Sequence, residues 1–359
     1  ESKRMTEEFL KYAETAIERF SQGGDINELA WAYISISLIM VNYWDYFKER
    51  EKEFMSTISD YTEKAVGLSE KTEDAYIQFS LNNALVWRSL FIKGDVQAAS
   101  EQAEKALRQS ERLNDHYWLG WAYFDLNFVA STKAVTEEDP DKKREQHNRT
   151  IRFAEESIRH FLSICRYDRA AFAHSVYLVD SYLPLAQLET SIEEKRVLLK
   201  RAVEAGRKGA KYAQLSGSQW VIQYLCHSLS KAIFFFSETE KNINEKKKLL
   251  QESLDLRERN IESADRCGPP NYWDQGIARN YLALLKAELA KIESSEEKRK
   301  HLYEEAVSSM EKSLEICTKT VQNDVAPSPR LFAILGQYYD WFGDILDQLY
   351  LLTKDESLI

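Results

Sequence analysis

Glycine and proline are scarce, at 12 and 6 of 359 residues, together about 5% against a usual share near 12%. That shortage excludes collagen-like and linker-rich chains and argues against a fold of many short strands joined by tight turns. Cysteine is sparse too: Cys165, Cys226, Cys267 and Cys317 lie 61, 41 and 50 residues apart. With no CxxC pair there is no zinc or disulfide framework, and a reducing, cytoplasmic setting is expected. A basic excess is missing, since 48 Lys and Arg face 58 Asp and Glu for a net charge of −10; this argues against nucleic acid as the partner. The longest uncharged run, Leu29 to Trp44, has 16 residues and contains Ser35, Ser37 and Asn42. It falls short of the roughly 20 residues a membrane span needs, so no membrane association is expected. Catalytic signatures are absent as well. There is no HExxH, GxSxG, GxxxxGK[ST] or GxGxxG, and the six histidines (His116, His147, His160, His174, His227, His301) are scattered. His160 and Cys165, five apart on one expected helix, do not share a face well. The expectation is no enzyme, no catalytic residues, no metal and no cofactor.

What is present is apolar and aromatic: 44% hydrophobic residues, with 16 Phe, 19 Tyr and 8 Trp, enough for a continuous core and incompatible with wholesale disorder. The organisation is internal repetition. Glu63-Lys64-Ala65-Val66, Glu104-Lys105-Ala106-Leu107, Glu155-Glu156-Ser157-Ile158, Lys200-Arg201-Ala202-Val203, Gln251-Glu252-Ser253-Leu254 and Glu304-Glu305-Ala306-Val307 each set a small residue between polar and aliphatic neighbours. Glu14-Thr15-Ala16-Ile17 is a weaker first copy. The small residues stand 49, 41, 51, 45, 51 and 53 apart, the period of a stack of helix pairs. Three copies follow expected helix starts: Ser191-Ile192-Glu193-Glu194, Asn242-Ile243-Asn244-Glu245 and Ser294-Ser295-Glu296-Glu297 place a capping side chain three residues before a Glu, a capping box. The basic clusters behind them (Lys195-Arg196, Lys246-Lys247-Lys248, Lys298-Arg299-Lys300) fit solvated, ion-paired helix faces better than phosphate or lipid sites. Aromatic-rich helices are expected between the charged ones, near 28–47, 73–92, 116–134, 169–189, 219–237, 272–292 and 329–352. Trp31-Ala32-Tyr33-Ile34 recurs as Trp121-Ala122-Tyr123-Phe124. Each unit thus pairs an aromatic A helix with a charged B helix. On the B helix after Ser191, Ala202, Gly206, Gly209 and Ala213 form one stripe for close helix contact.

This alternation of an aromatic A helix and an Ala-centred B helix resembles tetratricopeptide repeats, in the longer-period form found in MalT-like and other STAND signalling proteins. The resemblance implies an all-α, right-handed α-solenoid of about seven antiparallel helix pairs, residues 1–359 forming one continuous domain and a segment of a longer protein. It also implies a protein- or peptide-recognition module, the scaffold or sensor part of a signalling or regulatory protein, with its partner in a groove lined by A helices. The alternative is a receptor whose solenoid encloses a small molecule or short signal peptide. On the A helix starting near 219, Gln223, His227 and Lys231 follow at four-residue steps on an otherwise apolar helix, with Ser230 extending the stripe, as befits a partly wet groove floor. Further candidates on A helices are Asn83, Arg88, Asn127, Lys133, Tyr177, Asp180, Arg279 and Asn280. Asparagine there resembles the residues with which such repeats grip a peptide backbone. The Tyr338-Tyr339-x-Trp341-Phe342 cluster on the last A helix offers a face for self-association, whereas Phe234-Phe235-Phe236 reads as core.

Overall fold

The computed structural model describes residues 2–42, 51–267, 272–323 and 329–354. It divides into two compact units, residues 1–166 and 167–359. The first holds α1 (Ser2–Gly23), α2 (Ile26–Asn42), α3 (Glu51–Ser69), α4 (Ala75–Arg88, continued by a π-helical turn Ser89–Lys93), α5 (Val96–Leu113), α6 (His116–Thr136) and α7 (Pro140–Ser163). The second holds α8 (Tyr167–Phe172, π-helical Ala173–Val179, then Asp180–Leu188), α9 (Ile192–Ser216), α10 (Gln219–Glu238), α11 (Ile243–Cys267), α12 (Tyr272–Ile292), α13 (Glu296–Asn323) and α14 (Pro329–Thr353). No strand occurs among the described residues, and no helix among them is long and apolar enough to cross a membrane. Residues 43–47, the end of the first expected A helix, lie outside the described set.

Within each unit the helices pack chiefly on their neighbours in sequence, and A helices also touch the A helix of the next pair, as α2 does α4 and α10 does α12. Short loops make such neighbours antiparallel. The chain is therefore an all-α array of tetratricopeptide-like helical hairpins, built as an α-solenoid within each unit. The starts are chemically enforced. Asp74 accepts the backbone N–H of Tyr76 at 2.9 Å, Asp95 that of Ala98 at 2.9 Å, and Asp115 that of Tyr117 at 2.7 Å. Ser191 Oγ accepts from Glu194 at 3.4 Å and Asn242 Oδ1 from Glu245 at 3.2 Å. The third box is displaced by one residue: the cap is Ser295, accepting from Lys298 at 3.4 Å, because Glu293 Oε1 already takes the N–H groups of Ser294 and Ser295. Asn114 and Gly217, at φ 49° and 64°, end α5 and α9 in the left-handed conformation.

The small B-helix residues are where the hairpins close. Ala65, Ala106, Ser157, Ala202, Ser253 and Ala306 are all fully buried. Ser157 Oγ donates to the Gly120 carbonyl at 2.9 Å, and Ser253 Oγ to that of Ser230 at 2.7 Å. The first copy sits one turn earlier than its sequence pattern suggests: Ala13 is buried, whereas Ala16 lies in an open cleft of about 470 Å³ with Phe20 and Trp31. The glycine stripe of α9 acts as expected. A Cβ on Gly206 would stand 2.7 Å from Leu229 Cδ1, and one on Gly209 2.9 Å from His174 Cβ. The basic clusters are spent on neighbouring helices and turns. Arg196 meets Glu240 at 2.6 Å, Lys247 meets Glu293 at 2.8 Å, and Lys300 pairs with Glu304 at 3.7 Å rather than with Glu296. Tyr338, Trp341 and Phe342 face inward onto α12 and α13, leaving Tyr339 exposed. Phe234 is core, as read.

One local irregularity positions a functional candidate. Pro184 on α8 has no N–H for the carbonyl of Asp180 and its ring crowds that oxygen. The helix absorbs this by widening into the π-helical turn Ala173–Val179, which ends at Asp180 with φ −73° and ψ −5°.

Candidate functional site

The candidates in the first unit spend their polar atoms on neighbouring helices. Asn83 Nδ2 on α4 donates to Asp125 Oδ2 on α6 at 2.7 Å, and Asn127 Nδ2 to the Thr150 carbonyl on α7 at 3.3 Å. Arg88 Nη2 donates to Ser59 Oγ at 2.7 Å and to Glu63 Oε1 at 2.5 Å, both on α3. Lys133 Nζ reaches Ser100 Oγ on α5 at 3.0 Å, its pKa lowered chiefly by burial and further by Arg149. Asn83, Arg88 and Asn127 are buried; these four brace one helix against another.

In the second unit Tyr177 is buried, its ring edge-on to Phe172. Arg279 holds Asp265 with one nitrogen at 2.9 and 2.8 Å from its two oxygens. Asn280, fully buried, donates to Met310 Sδ at 3.3 Å. Asp180, Gln223, His227 and Lys231 come together instead. α10 carries Gln223, His227 and Lys231 on one face, with α8 supplying Asp180 and α12 Tyr281. Ser230 is not part of this stripe: it is fully buried and bonded to Ser253.

Beneath the stripe lies Arg257 of α11, fully buried. Its Nη1 donates to His227 Nδ1 at 2.8 Å and to Asn260 Oδ1 at 3.3 Å, its Nη2 donates to the His227 carbonyl at 3.2 Å, and its guanidinium lies 5.0 Å from the Tyr281 ring centre. Asn260 Nδ2 in turn donates to the Gln223 carbonyl at 3.0 Å. Burial pulls the arginine pKa down to about 10, with Tyr281, Cys226 and Tyr338 acting the other way. Because a guanidinium only donates, His227 Nδ1 must be the acceptor, which places the ring proton on Nε2. Burial first, then the charges of Arg257 and Lys231, hold the His227 pKa well below its usual value, so the ring is neutral at pH 7. Burial opposes the charge of Lys231, but Tyr281 and Asp180 outweigh it and its pKa is raised. The Asp180 carboxyl is pushed up by burial, against the pull of Lys231, and its Oδ1 is buried without a partner.

His227, Lys231 and Tyr281 are half-buried and Gln223 is buried, and their outer donors are unspent. The Lys231 ammonium, His227 Nε2–H, the Tyr281 hydroxyl and the Gln223 side-chain amide make no hydrogen bond to the described residues. They form a row of donors along about two turns of α10 and across to α12.

Sequence reading missed Arg257, Asn260 and Tyr281, yet one signal for Arg257 was present. Four residues after each of the six fully buried small residues come Ser69, Ser110, Phe161, Gly206, Arg257 and Met310, and all six are buried. An arginine at a core position of the repeat is the anomaly. Tyr281 carries no such mark, since aromatics fill every A helix.

No protein-family model matches the chain and no curated protein matches it in sequence. Among solved structures it is similar to a signal transduction ATPase with numerous domains (STAND) carrying a tetratricopeptide repeat sensor, from Pyrococcus horikoshii, at 14% identity and a TM-score of 0.48. That match covers 94% of this chain and 48% of the other, so this chain spans about half the length of the STAND protein. It is also similar to the S. pombe nuclear import adaptor Nro1, at 14% identity and a TM-score of 0.44, over 88% of this chain and 99% of that one. A circular tandem repeat protein matches at 18% identity with a TM-score of 0.31, over 99% of this chain and 87% of the other.

Proposed function

We propose that this chain is a protein- or peptide-recognition module, the scaffold or sensor part of a larger signalling or regulatory protein, holding its partner along the face of its A helices. The observation that carries this reading is the row of unspent donors from Gln223, His227, Lys231 and Tyr281. Gln223 to Lys231 covers eight residues, about 12 Å along α10 at 1.5 Å per residue. That is a line rather than a point, and it fits three or four residues of an extended segment at about 3.3 Å each. Each donor that a partner's carbonyl fills adds a directional contact to the surface buried. Recognition proceeds by complementarity, with no chemical step and no cofactor.

The test is selection of phage-displayed random fifteen-residue peptides on the immobilised chain, beside a Gln223→Ala, His227→Ala, Lys231→Ala variant of unchanged helicity. Peptides enriched on the parent and lost on the variant support the module and its face. Enrichment of the same peptides on both moves the binding surface elsewhere; no enrichment on the parent rejects peptide recognition.

A further inference from the structure

Two histidines of the first unit meet at the end of the α6–α7 hairpin that lies away from its loop. His116 is the first residue of α6, and His160 lies in the last turn of α7. Their Nδ1 atoms stand 2.8 Å apart. On the far side of its ring, His160 Nε2 lies 3.1 Å from Arg159 Nη2. A guanidinium only donates, so Nε2 is an acceptor and the proton of the neutral His160 ring sits on Nδ1. That proton is donated to His116 Nδ1, which leaves His116 with its own proton on Nε2. His160 is buried, with the Tyr123 ring stacked on it at 9° and 5.7 Å, whereas His116 is exposed. The contact is closed on one side and open to water on the other.

The neutral pair holds two protons on four ring nitrogens, one of them shared between the facing Nδ1 atoms. A third proton ends on His160 Nε2 whichever ring takes it, because the shared bond needs one proton and His116 Nε2 already has one. It displaces Arg159, which is exposed and keeps Glu156, its Nε 3.0 Å from Oε2. A fourth proton puts an N–H on both facing nitrogens, and two donors cannot stay 2.8 Å apart. Both rings are then charged beside the N-terminus of α6, where the helix dipole disfavours cations. Burial first, then Arg159 and His116, lower the His160 pKa, and Glu156 acts the other way. The other charged groups nearby bring little relief. Asp115 is occupied as the cap of α6, Glu111 of α5 acts on Tyr123, and Arg166, 6.0 Å from the Tyr117 ring, is a further cation.

We propose that the His116–His160 contact is an acid-released latch: it holds while the pair carries three protons or fewer, and it parts when both rings are charged, freeing the first turn of α6 from the last turn of α7. Tyr123, stacked on His160, also lines an open cleft of about 470 Å³ with Arg149, Arg152 and Phe153, so the latch and that cleft share a wall.

The test is hydrogen exchange of the full chain at about pH 7 and about pH 5, read by mass spectrometry on fragments covering residues 114–124 and 156–166 and corrected for the intrinsic rate at each pH. The parted form binds one proton more than the latched form, so each unit of falling pH below about 6.5 favours it by up to about tenfold. The parent should lose about tenfold in protection in both fragments. His116→Gln offers His160 Nδ1–H a side-chain oxygen that does not titrate, and its protection stays level. His116→Ala removes the acceptor and lowers protection already at pH 7. His147→Leu, which takes away another buried histidine of α7, keeps the parent's loss. Protection in the parent that does not change with pH overturns the latch, as does an equal loss in His116→Gln or parental protection of His116→Ala at pH 7. Disappearance of the loss in His147→Leu also overturns it, by assigning the acid step to His147.

Discussion

The carboxyl of Asp125 on α6 is fully buried, and what it does to stability follows from its surroundings. Its Oδ2 accepts from Asn83 at 2.7 Å and a further bond comes from the Trp87 side chain, while Oδ1 has no partner. Burial outweighs those two bonds and raises its pKa from 3.8 to about 8. The folded chain therefore keeps a proton that the unfolded chain releases above about pH 4. With the folded value raised, stability is greatest below the unfolded pKa and falls as pH rises through the window up to about pH 8. The slope approaches 1.4 kcal/mol per pH unit, about 5 kcal/mol over the whole window as an order of magnitude. Asp125→Asn cannot ionise and loses this slope. Urea unfolding followed by circular dichroism in buffers from about pH 5 to about pH 7.5 measures it. The free-energy difference between variant and parent should move in favour of the variant by about 1.4 kcal/mol for each unit of rising pH. A difference that stays constant across that range would mean that the buried carboxyl is already ionised in the folded chain, and the desolvation argument would be refuted.

Three further outcomes are expected. His147 is buried with both ring nitrogens unpartnered, and burial, with Lys143 adding to it, lowers its pKa from 6.5 to about 4. Its neutral form is required by the fold, so stability is lost as pH falls from 6.5 towards 4, and His147→Leu should flatten that decline by about 3 kcal/mol at most while matching or exceeding parental stability at neutral pH. Denaturant titrations at about pH 4.5 and about pH 7 compare the two. A Cβ at Gly276 on α12 would run into Cys317 Sγ on α13; Gly276→Ala should cost about 1–3 kcal/mol, and less in a Cys317→Ala background, read as a coupling energy in a double-mutant cycle. Ser253→Val removes the hydroxyl that donates to the Ser230 carbonyl at 2.7 Å and meets Ser230 Oγ at 3.0 Å, and adds bulk at a fully buried contact. It should lower stability by about 2 kcal/mol or more, whereas Ser163→Val at the end of α7 should cost under about 1 kcal/mol; equal effects would remove the special role of the small B-helix positions.

By itself the sequence determined the helical class, the alternation of A and B helices and most of their limits. Those features are local: scarce Gly and Pro, side-chain caps at helix starts, and a small residue wherever two helices must approach closely. The same periodicity marked Gln223, His227 and Lys231 as one face of one helix. Periodicity says which side chains share a face but not what that face meets. Among the described residues, only the tertiary packing spends Asn83, Arg88, Asn127, Lys133, Arg279 and Asn280 on neighbouring helices, because a hydrogen bond is satisfied across space and leaves no mark on spacing. Arg257 joins the two levels. Its place in the repeat made it anomalous in sequence, four residues past Ser253. Its role depends on His227 and Tyr281, which lie 30 residues before it and 24 after it. They come within bonding distance only because three successive helices pack in register.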